Sequence, residues 1–156
     1  MKKIIMIALA SQAFAGDLTA GTGYMYCATS KNYHEDFGYP EQIITAGYSD
    51  EFDINMPSNI HLSAEAGFNL YRPNELFIQG NIGPSIPVTS SWTITAGPSI
   101  LYLTTPGKTL MGKNLQLKHT IDENTGFIAV LSGQYAAHDY SPQMSGSFTL
   151  KAYKTL

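Results

Sequence analysis

The sequence predicts an all-β protein whose eight antiparallel strands form one up-and-down barrel, and three observations carry this prediction. The composition suits strands and turns, because 12% of the 156 residues are aromatic, ten are Tyr and 14 are Gly. After residue 16, helix signals are nearly absent, and apolar and polar residues alternate with a period of two. The alternating segments number eight. No long linker or internal repeat separates them, so we expect a single domain over residues 16–156.

The eight segments follow one another along the chain with regular connections. In the clearest segment, 59–71, the even positions from Ile60 to Leu70 are all apolar, and the odd positions from Asn59 to Asn69 are polar or Gly. The other predicted strands are 16–30, 42–53, 74–86, 90–104, 113–122, 126–136 and 145–156. Longer polar linkers are predicted at 31–41, 105–112 and 137–144, and tight turns at 55–58, 87–90 and 122–125. The linkers are therefore expected at one end of the barrel and the turns at the other, with 71–74 as a short connection on the linker side.

The first fifteen residues have the pattern of a secretory signal peptide. Lys2 and Lys3 precede a short apolar run, Ile4 to Ala10, and the segment ends in A-x-A at residues 13–15. Cleavage after Ala15 removes two lysines and leaves a mature net charge of −5. This balance excludes the basic face of a nucleic-acid-binding protein, and the single Cys27 cannot form an internal disulfide.

The distribution of charge indicates which face of the barrel contacts water. Charged residues are only 13% of the chain, whereas they make up about a quarter to a third of a soluble surface. Most of them, Lys113 included, fall in or near the predicted connections. The mid-strand charges Glu65, Lys118 and Lys151 share the polar face, where ion pairs could neutralise them. We therefore predict a transmembrane barrel whose apolar face contacts lipid and whose polar face fills the interior.

Aromatic residues lie mostly towards the strand ends, as expected for an interfacial girdle; they are Tyr24, Tyr26, Tyr48, Tyr71, Trp92, Tyr102, Tyr135 and Tyr153. His119 takes the apolar parity of its segment. Because a polar group is costly in the middle of a membrane, this position predicts either a bulge or a place near an interface.

The whole pattern resembles the small eight-stranded bacterial outer-membrane barrels of the OmpX, Ail and Lom type and the transmembrane domain of OmpA. Thr95–Ser99 is similar to an A-G-P-S/A stretch of OmpX-like strands, and Tyr71–Leu76 is similar to a Tyr-Arg, turn and strand sequence of that family. The resemblance covers about residues 16–156. It implies a location in the bacterial outer membrane, insertion by the outer-membrane assembly machinery, and contact with outer-membrane lipids and lipopolysaccharide. The last strand keeps Gly146, Phe148 and Leu150 of the family's insertion signal but ends in Leu156.

One constellation of side chains could carry chemistry. His61, Ser63 and Glu65 alternate on one strand and so share a face, as a base, a nucleophile and an acid do in acyl hydrolysis. The lipid A deacylase family is similar in using a His-x-Ser pair with a Glu, although Glu65 does not follow at that family's more distant spacing. The other interpretation is a hydrogen-bonded polar interior of a narrow barrel.

The sequence therefore favours a non-catalytic outer-membrane barrel, with no metal site and no cofactor. An eight-stranded barrel is narrow enough for side chains to fill it, so function is expected in the linkers 31–41, 105–112 and 137–144. These would serve envelope structure, adhesion or modification of the host surface. Two alternatives remain: an outer-membrane lipid A acyl hydrolase that uses His61, Ser63 and Glu65, and a soluble lipocalin-like binding barrel.

Overall fold

The chain forms a closed barrel of eight antiparallel strands, which confirms the predicted fold class. The computed structural model describes residues 16–29, 40–54, 58–71, 74–104, 107–136 and 143–156. The predicted signal peptide, 1–15, and most of the linkers 31–41 and 137–144 lie outside these ranges. The strands are β1 (Asp17–Thr29), β2 (Glu41–Phe52), β3 (Asn59–Asn69), β4 (Leu76–Pro87), β5 (Trp92–Leu103), β6 (Lys108–Thr120), β7 (Thr125–Ala136) and β8 (Gln143–Thr155).

Each strand pairs with the next, and β8 pairs with β1 to close the sheet. A path that starts at Asp17 and moves from each residue to its cross-strand partner returns to β1 at Cys27. The end point lies ten residues beyond the starting residue. A stagger of this kind tilts the strands by about 35–45° from the barrel axis. Within the described ranges, no helix has the length and apolar character needed to cross a membrane.

The barrel has two distinct ends. The turn end carries the chain from β2 to β3, from β4 to β5 and from β6 to β7, together with the start of β1 and the end of β8. The loop end carries the other four connections. This arrangement confirms that the predicted turns and the predicted linkers lie at opposite ends.

The alternation along the strands separates an apolar outer face from a largely polar interior. Even-numbered residues of β3 and β4 point outward, and large apolar side chains such as Leu62 and Ile78 are about half exposed there. Their odd-numbered neighbours point inward, where Gln79 and Asn81 are almost fully buried. The polar face therefore lines the inside of the barrel, as the charge distribution predicted.

Strand β6 begins five residues earlier than the sequence pattern predicted. Lys108 pairs with Leu103 and Leu110 pairs with Leu101, so most of the predicted linker 105–112 is strand. Gly107 has a φ of 76° and donates its backbone N–H to Leu103 O at 3.0 Å, which closes a tight hairpin. The prediction was wrong because Lys108, Thr109 and Gly112 weaken the alternation, whereas backbone pairing with β5 continues through them.

The same shift corrects the place of Lys113. This residue is the sixth of the thirteen residues of β6 and not part of a connection. It has the outward parity of Met111 and Leu115 and is exposed. Its cross-strand partners are Pro98 and Gly133. A lysine therefore lies on the outer face of the barrel, in the middle part of its strand.

The seam between β4 and β5 has a gap in its pairing. Paired positions run to Asn81 and Ser99 and resume only at Ser85 and Thr95. Pro84 and Pro98 lie within this gap and have no N–H to donate to the ladder. The side-chain amide of Asn114 donates to the carbonyls of Gly97 and Pro98, each at 3.1 Å.

An apolar layer crosses the interior near the loop end, and it consists of Met25, Ile43, Phe77, Leu101 and Leu110. All five side chains point inward and are at most 8% exposed. The alternation of residues predicted a polar interior, so this apolar layer was not predicted. A smaller buried cluster of Ile128, Val130 and Tyr153 lies further towards the turn end.

His119 lies on the outer face near the turn end. Of the two predicted alternatives, a bulge and a place near an interface, this position agrees with the second. Its ring stacks on Trp92 with a centroid separation of 4.3 Å. Its Nδ1 lies 3.2 Å from Ser91 O. The histidine is thus part of the aromatic border of the outer wall.

Candidate functional site

The three residues that could carry chemistry, His61, Ser63 and Glu65, all point into the barrel from β3. His61 is 3% exposed and Glu65 is 7% exposed, while Ser63 is half-buried. Residues that alternate on a strand point to the same side, so the shared face was predictable. The partners of each side chain come from other strands.

Ser63 belongs to a chain of side-chain amides. Its Oγ accepts hydrogen bonds from Asn81 Nδ2 at 3.1 Å and from Gln116 Nε2 at 3.5 Å. Gln79 donates in turn to Asn81 at 3.1 Å, and Gln116 donates to Asn114 at 3.2 Å. The hydroxyl of Ser63 therefore connects β4 to β6 across the interior.

His61 lies beside the carboxylate of Glu51. The distance from His61 Nδ1 to Glu51 Oε1 is 4.0 Å, and the same carboxylate oxygen accepts a hydrogen bond from Ser85 Oγ at 3.1 Å. Neither ring nitrogen of His61 makes a hydrogen bond within the described part of the chain. The imidazole is therefore not hydrogen-bonded to Ser63.

The buried charges form two ion pairs, which confirms the predicted neutralisation. Glu65 Oε2 lies 2.5 Å from Lys151 Nζ, and both side chains are at most 7% exposed. Asp17 Oδ2 lies 2.6 Å from Lys118 Nζ. Since β3 and β8, like β1 and β6, are not neighbours in the barrel, each pair bridges the interior.

The Asp17–Lys118 pair has further partners near the turn end. Thr155 donates its hydroxyl to Asp17 Oδ1 at 2.6 Å. Lys118 Nζ lies 4.5 Å from the centre of the Tyr153 ring, and Tyr153 OH donates to Thr120 Oγ1 at 2.9 Å. Asp17 was missed as the partner of Lys118 because 101 residues separate them; its position on the inward parity of β1 is the only sequence signal.

The geometry gives each of the three candidate residues a separate environment. Activation of a serine needs a hydrogen bond to its base, and the base is oriented by a third group. Here Ser63 accepts from amides, His61 lies beside Glu51, and Glu65 pairs with Lys151. No group of three His, Cys, Asp or Glu side chains within the described residues could hold a metal ion.

Of the predicted surface linkers, the structure describes only parts. Pro40 precedes Glu41, the first residue of β2, and Gln143 and Met144 belong to β8, while the rest of 31–41 and of 137–144 lies outside the described residues. Binding through these linkers remains a prediction.

Comparison with known proteins identifies the fold and no closer relationship. No protein-family model matches the chain, and no curated protein matches it at a significant level. Neisserial surface protein A (NspA) is similar in structure, with a TM-score of 0.55 and 12% identity over 91% of this chain and 97% of that protein.

Two further solved structures are similar to the chain. Ail, the attachment invasion locus protein of Yersinia pestis, solved in complex with the heparin analogue sucrose octasulfate, gives a TM-score of 0.50 at 14% identity, over 90% of this chain and 99% of Ail. A transmembrane β-barrel designed de novo gives 0.51 at 10% identity, over 88% of this chain and 95% of the design. The chain thus has the fold of transmembrane, outer-membrane β-barrels, and the resemblance inferred from the sequence is confirmed at the level of fold.

Proposed function

We propose that this protein is an integral barrel of the bacterial outer membrane, without catalytic activity, which presents its loop-end connections at the cell surface. The observation that carries the proposal is the inverted distribution of polarity. Half-exposed Leu and Ile side chains cover the outside, and buried amides, hydroxyls and ion pairs fill the inside. Such a barrel is stable in lipid, where its outer face is solvated and all strand edges are paired.

The same distribution argues against a soluble lipocalin-like barrel. A soluble barrel buries its apolar face and exposes its polar face, and soluble proteins seldom expose apolar patches larger than a few hundred Å². Here 27 large hydrophobic residues are at least 37% exposed among the described residues. In water this surface would drive aggregation.

The interior supports a structural role rather than transport or hydrolysis. The apolar layer of Met25, Ile43, Phe77, Leu101 and Leu110 closes the interior near the loop end. Ser63, the candidate nucleophile, is engaged by two amides. We therefore assign surface recognition or envelope structure to the loop-end connections. Residues 16–156 carry a net charge of −5, so no excess of basic residues supports carrying the sulfated sugar analogue bound by Ail over to the loop-end connections of this chain.

Heat-modifiable electrophoresis tests the membrane barrel. Chain 16–156, folded into detergent, is expected to migrate at different positions before and after boiling, because a closed barrel resists dodecyl sulfate until it is heated. In expressing cells the protein is expected to stay in the membrane fraction after a carbonate wash. Folding in buffer without detergent, together with release by carbonate, would contradict the proposal.

A serine substitution tests the absence of hydrolysis. Lipid A from cells that express the wild type, Ser63→Ala or an empty vector is expected to show one and the same acylation pattern by mass spectrometry. An acyl chain that is lost with the wild type and retained with Ser63→Ala would instead assign a deacylase activity to the interior.

A further inference from the structure

An apolar groove of about 330 Å³ lies on the outer wall of the barrel. Its outward-facing lining comes from four neighbouring strands, β3 to β6, and consists of Leu62, Gly80, Ile82, Pro98, Ile100 and Met111. Gly80 and Pro98 are small, so they leave a depression between the larger side chains. The gap in pairing between β4 and β5 begins at one edge of the groove, at Ile82 and Pro98.

Lys113 stands beside this groove on the same face. It lies directly across from Pro98, one of the lining residues, and across from Gly133 on its other side. A Cβ added at Gly133 would meet nothing within 4 Å, so the surface on that side of Lys113 is open. Of the acidic side chains in the described ranges, none forms an ion pair with Lys113.

A lysine on the lipid-facing wall is costly unless its charge is satisfied. The cost reaches about 2–4 kcal/mol at the middle of a bilayer and falls towards the interfaces. Lys113 is five residues from the loop-end start of β6 and seven from its turn-end limit, so the nearer headgroups are those at the loop end. An anionic headgroup there would receive the ammonium group, because lysine side chains extend towards the interface.

We propose that the groove and Lys113 form one site for a phosphorylated glycolipid of the lipid A type, drawn from the leaflet at the loop end. One acyl chain occupies the groove, and a phosphate of the same molecule pairs with Lys113. The site rests on the proposed function, since it requires that the outer wall lie in a membrane.

The charge pattern favours a lipid over a second copy of the chain. A dimer that covers Lys113 would have to bring an outward acidic group to the same height. Asp50 is the one acidic residue at an outward strand position among the described residues. It lies near the turn end, where its Oδ1 accepts the backbone N–H of Glu51 at 2.8 Å. A lipid phosphate satisfies both the charge and the adjacent apolar groove.

Native mass spectrometry of the detergent-folded chain tests the site. The barrel is mixed with equal amounts of lipid A, phosphatidylglycerol and phosphatidylcholine in micelles, and the adducts that remain bound are counted. The wild type is expected to retain lipid A preferentially. Lys113→Gln is expected to weaken retention about fivefold, which corresponds to the loss of one lysine near an anionic lipid surface.

A second variant tests the groove by filling it. Gly80→Leu places a side chain in the groove, and a Cβ at this position would lie 3.3 Å from Ile100 Cγ2, so a small shift of that side chain accommodates it. This variant is expected to reduce lipid A retention as Lys113→Gln does. The matched controls are Lys154→Gln, an exposed outward lysine at the turn end, and Ala20→Leu, at an exposed outward position of β1 away from the groove. Both controls are expected to retain lipid A as the wild type does.

Four other outcomes would overturn the proposal in part or as a whole. Equal retention of lipid A by the wild type, Lys113→Gln and Gly80→Leu, in barrels that remain heat-modifiable, overturns the site alone. Retention of phosphatidylglycerol as strongly as lipid A overturns the assignment to a glycolipid, and a dimer without lipid overturns it in favour of a second copy. A wild-type chain that gives no heat-modifiable barrel overturns the proposed function, and the site falls with it.

Discussion

The two ends of the barrel interior are stabilised by different means. Towards the turn end, the interior contains amides, hydroxyls and the ion pairs Asp17–Lys118 and Glu65–Lys151, beside the smaller buried apolar cluster that includes Val130. Near the loop end it contains the apolar layer, in which Leu101 is fully buried. Polar contacts depend on having every partner in place, whereas apolar contacts depend on volume and shape. A single narrow barrel can therefore be filled by both kinds of contact. We expect substitutions at the two ends to lower the unfolding free energy for different physical reasons.

The largest effect is expected from breaking the central ion pair. Lys151→Met leaves the Glu65 carboxylate buried without its partner, which should cost about 3–5 kcal/mol of unfolding free energy. Urea unfolding in lipid vesicles, followed by the fluorescence of Trp92, the single Trp, measures this cost.

Two variants sharpen the result for Lys151. Adding Glu65→Gln to Lys151→Met should recover most of the lost unfolding free energy, because the double variant no longer has an unpaired carboxylate in the interior. Lys154→Met, three residues further on and exposed on the outer face, should change stability by at most about 1 kcal/mol. Equal costs for Lys151→Met and Lys154→Met would show that the ion pair does not stabilise the barrel.

A comparably large effect is expected at the apolar layer. Leu101→Ala should cost about 3–5 kcal/mol, because it loses the transfer free energy of the side chain and leaves a cavity. Leu131→Ala, on the outer face where the leucine is 57% exposed, should cost only about 2 kcal/mol, since lipid fills the space and the transfer term alone is lost. The same unfolding assay compares the two, and a cost for Leu131→Ala as large as for Leu101→Ala would count against a packed interior layer.

A smaller effect is expected at the seam between β4 and β5. Asn114→Ala removes the amide that donates to the carbonyls of Gly97 and Pro98, and should cost about 1–3 kcal/mol. Asn124→Ala, in the exposed turn between β6 and β7, should stay within about 0.5 kcal/mol of the wild type. Hydrogen exchange of β4 and β5 amides should rise in the first variant only, and unchanged exchange in both would contradict the role of Asn114.

The smallest effect is expected outside the barrel wall, at Asp122. The Thr125 hydroxyl, and then the backbone N–H of Asn124, hold the pKa of this carboxyl below its ordinary value. The folded pKa is depressed, so the contribution to stability is present above the unfolded pKa, about 3.9, and is lost as pH falls through the folded pKa. Wild type and Asp122→Ala should therefore differ in urea midpoint at pH 6 and converge towards pH 3. A constant difference across that range would exclude the titration of Asp122 as its cause.

The fold could be predicted from the sequence more completely than the contacts inside the barrel. The period of two located all eight strands, since it reports directly which residues face the two sides of a sheet. It missed the start of β6, where pairing with β5 continues through polar residues. It also missed the apolar layer, although consecutive apolar residues such as Ile43–Ile44 and Leu110–Met111 mark places where the alternation breaks down.

The sequence by itself determined the fold class, the inverted polarity and the shared inward face of His61, Ser63 and Glu65, because each follows from local alternation. Only the tertiary structure decided the partners: Lys151 for Glu65, the two amides for Ser63 and Glu51 for His61. It also decided that Lys113 stands on the outer wall beside an apolar groove. These contacts join strands that are distant in sequence, and they are fixed by the register and stagger that close the barrel, which no local pattern records.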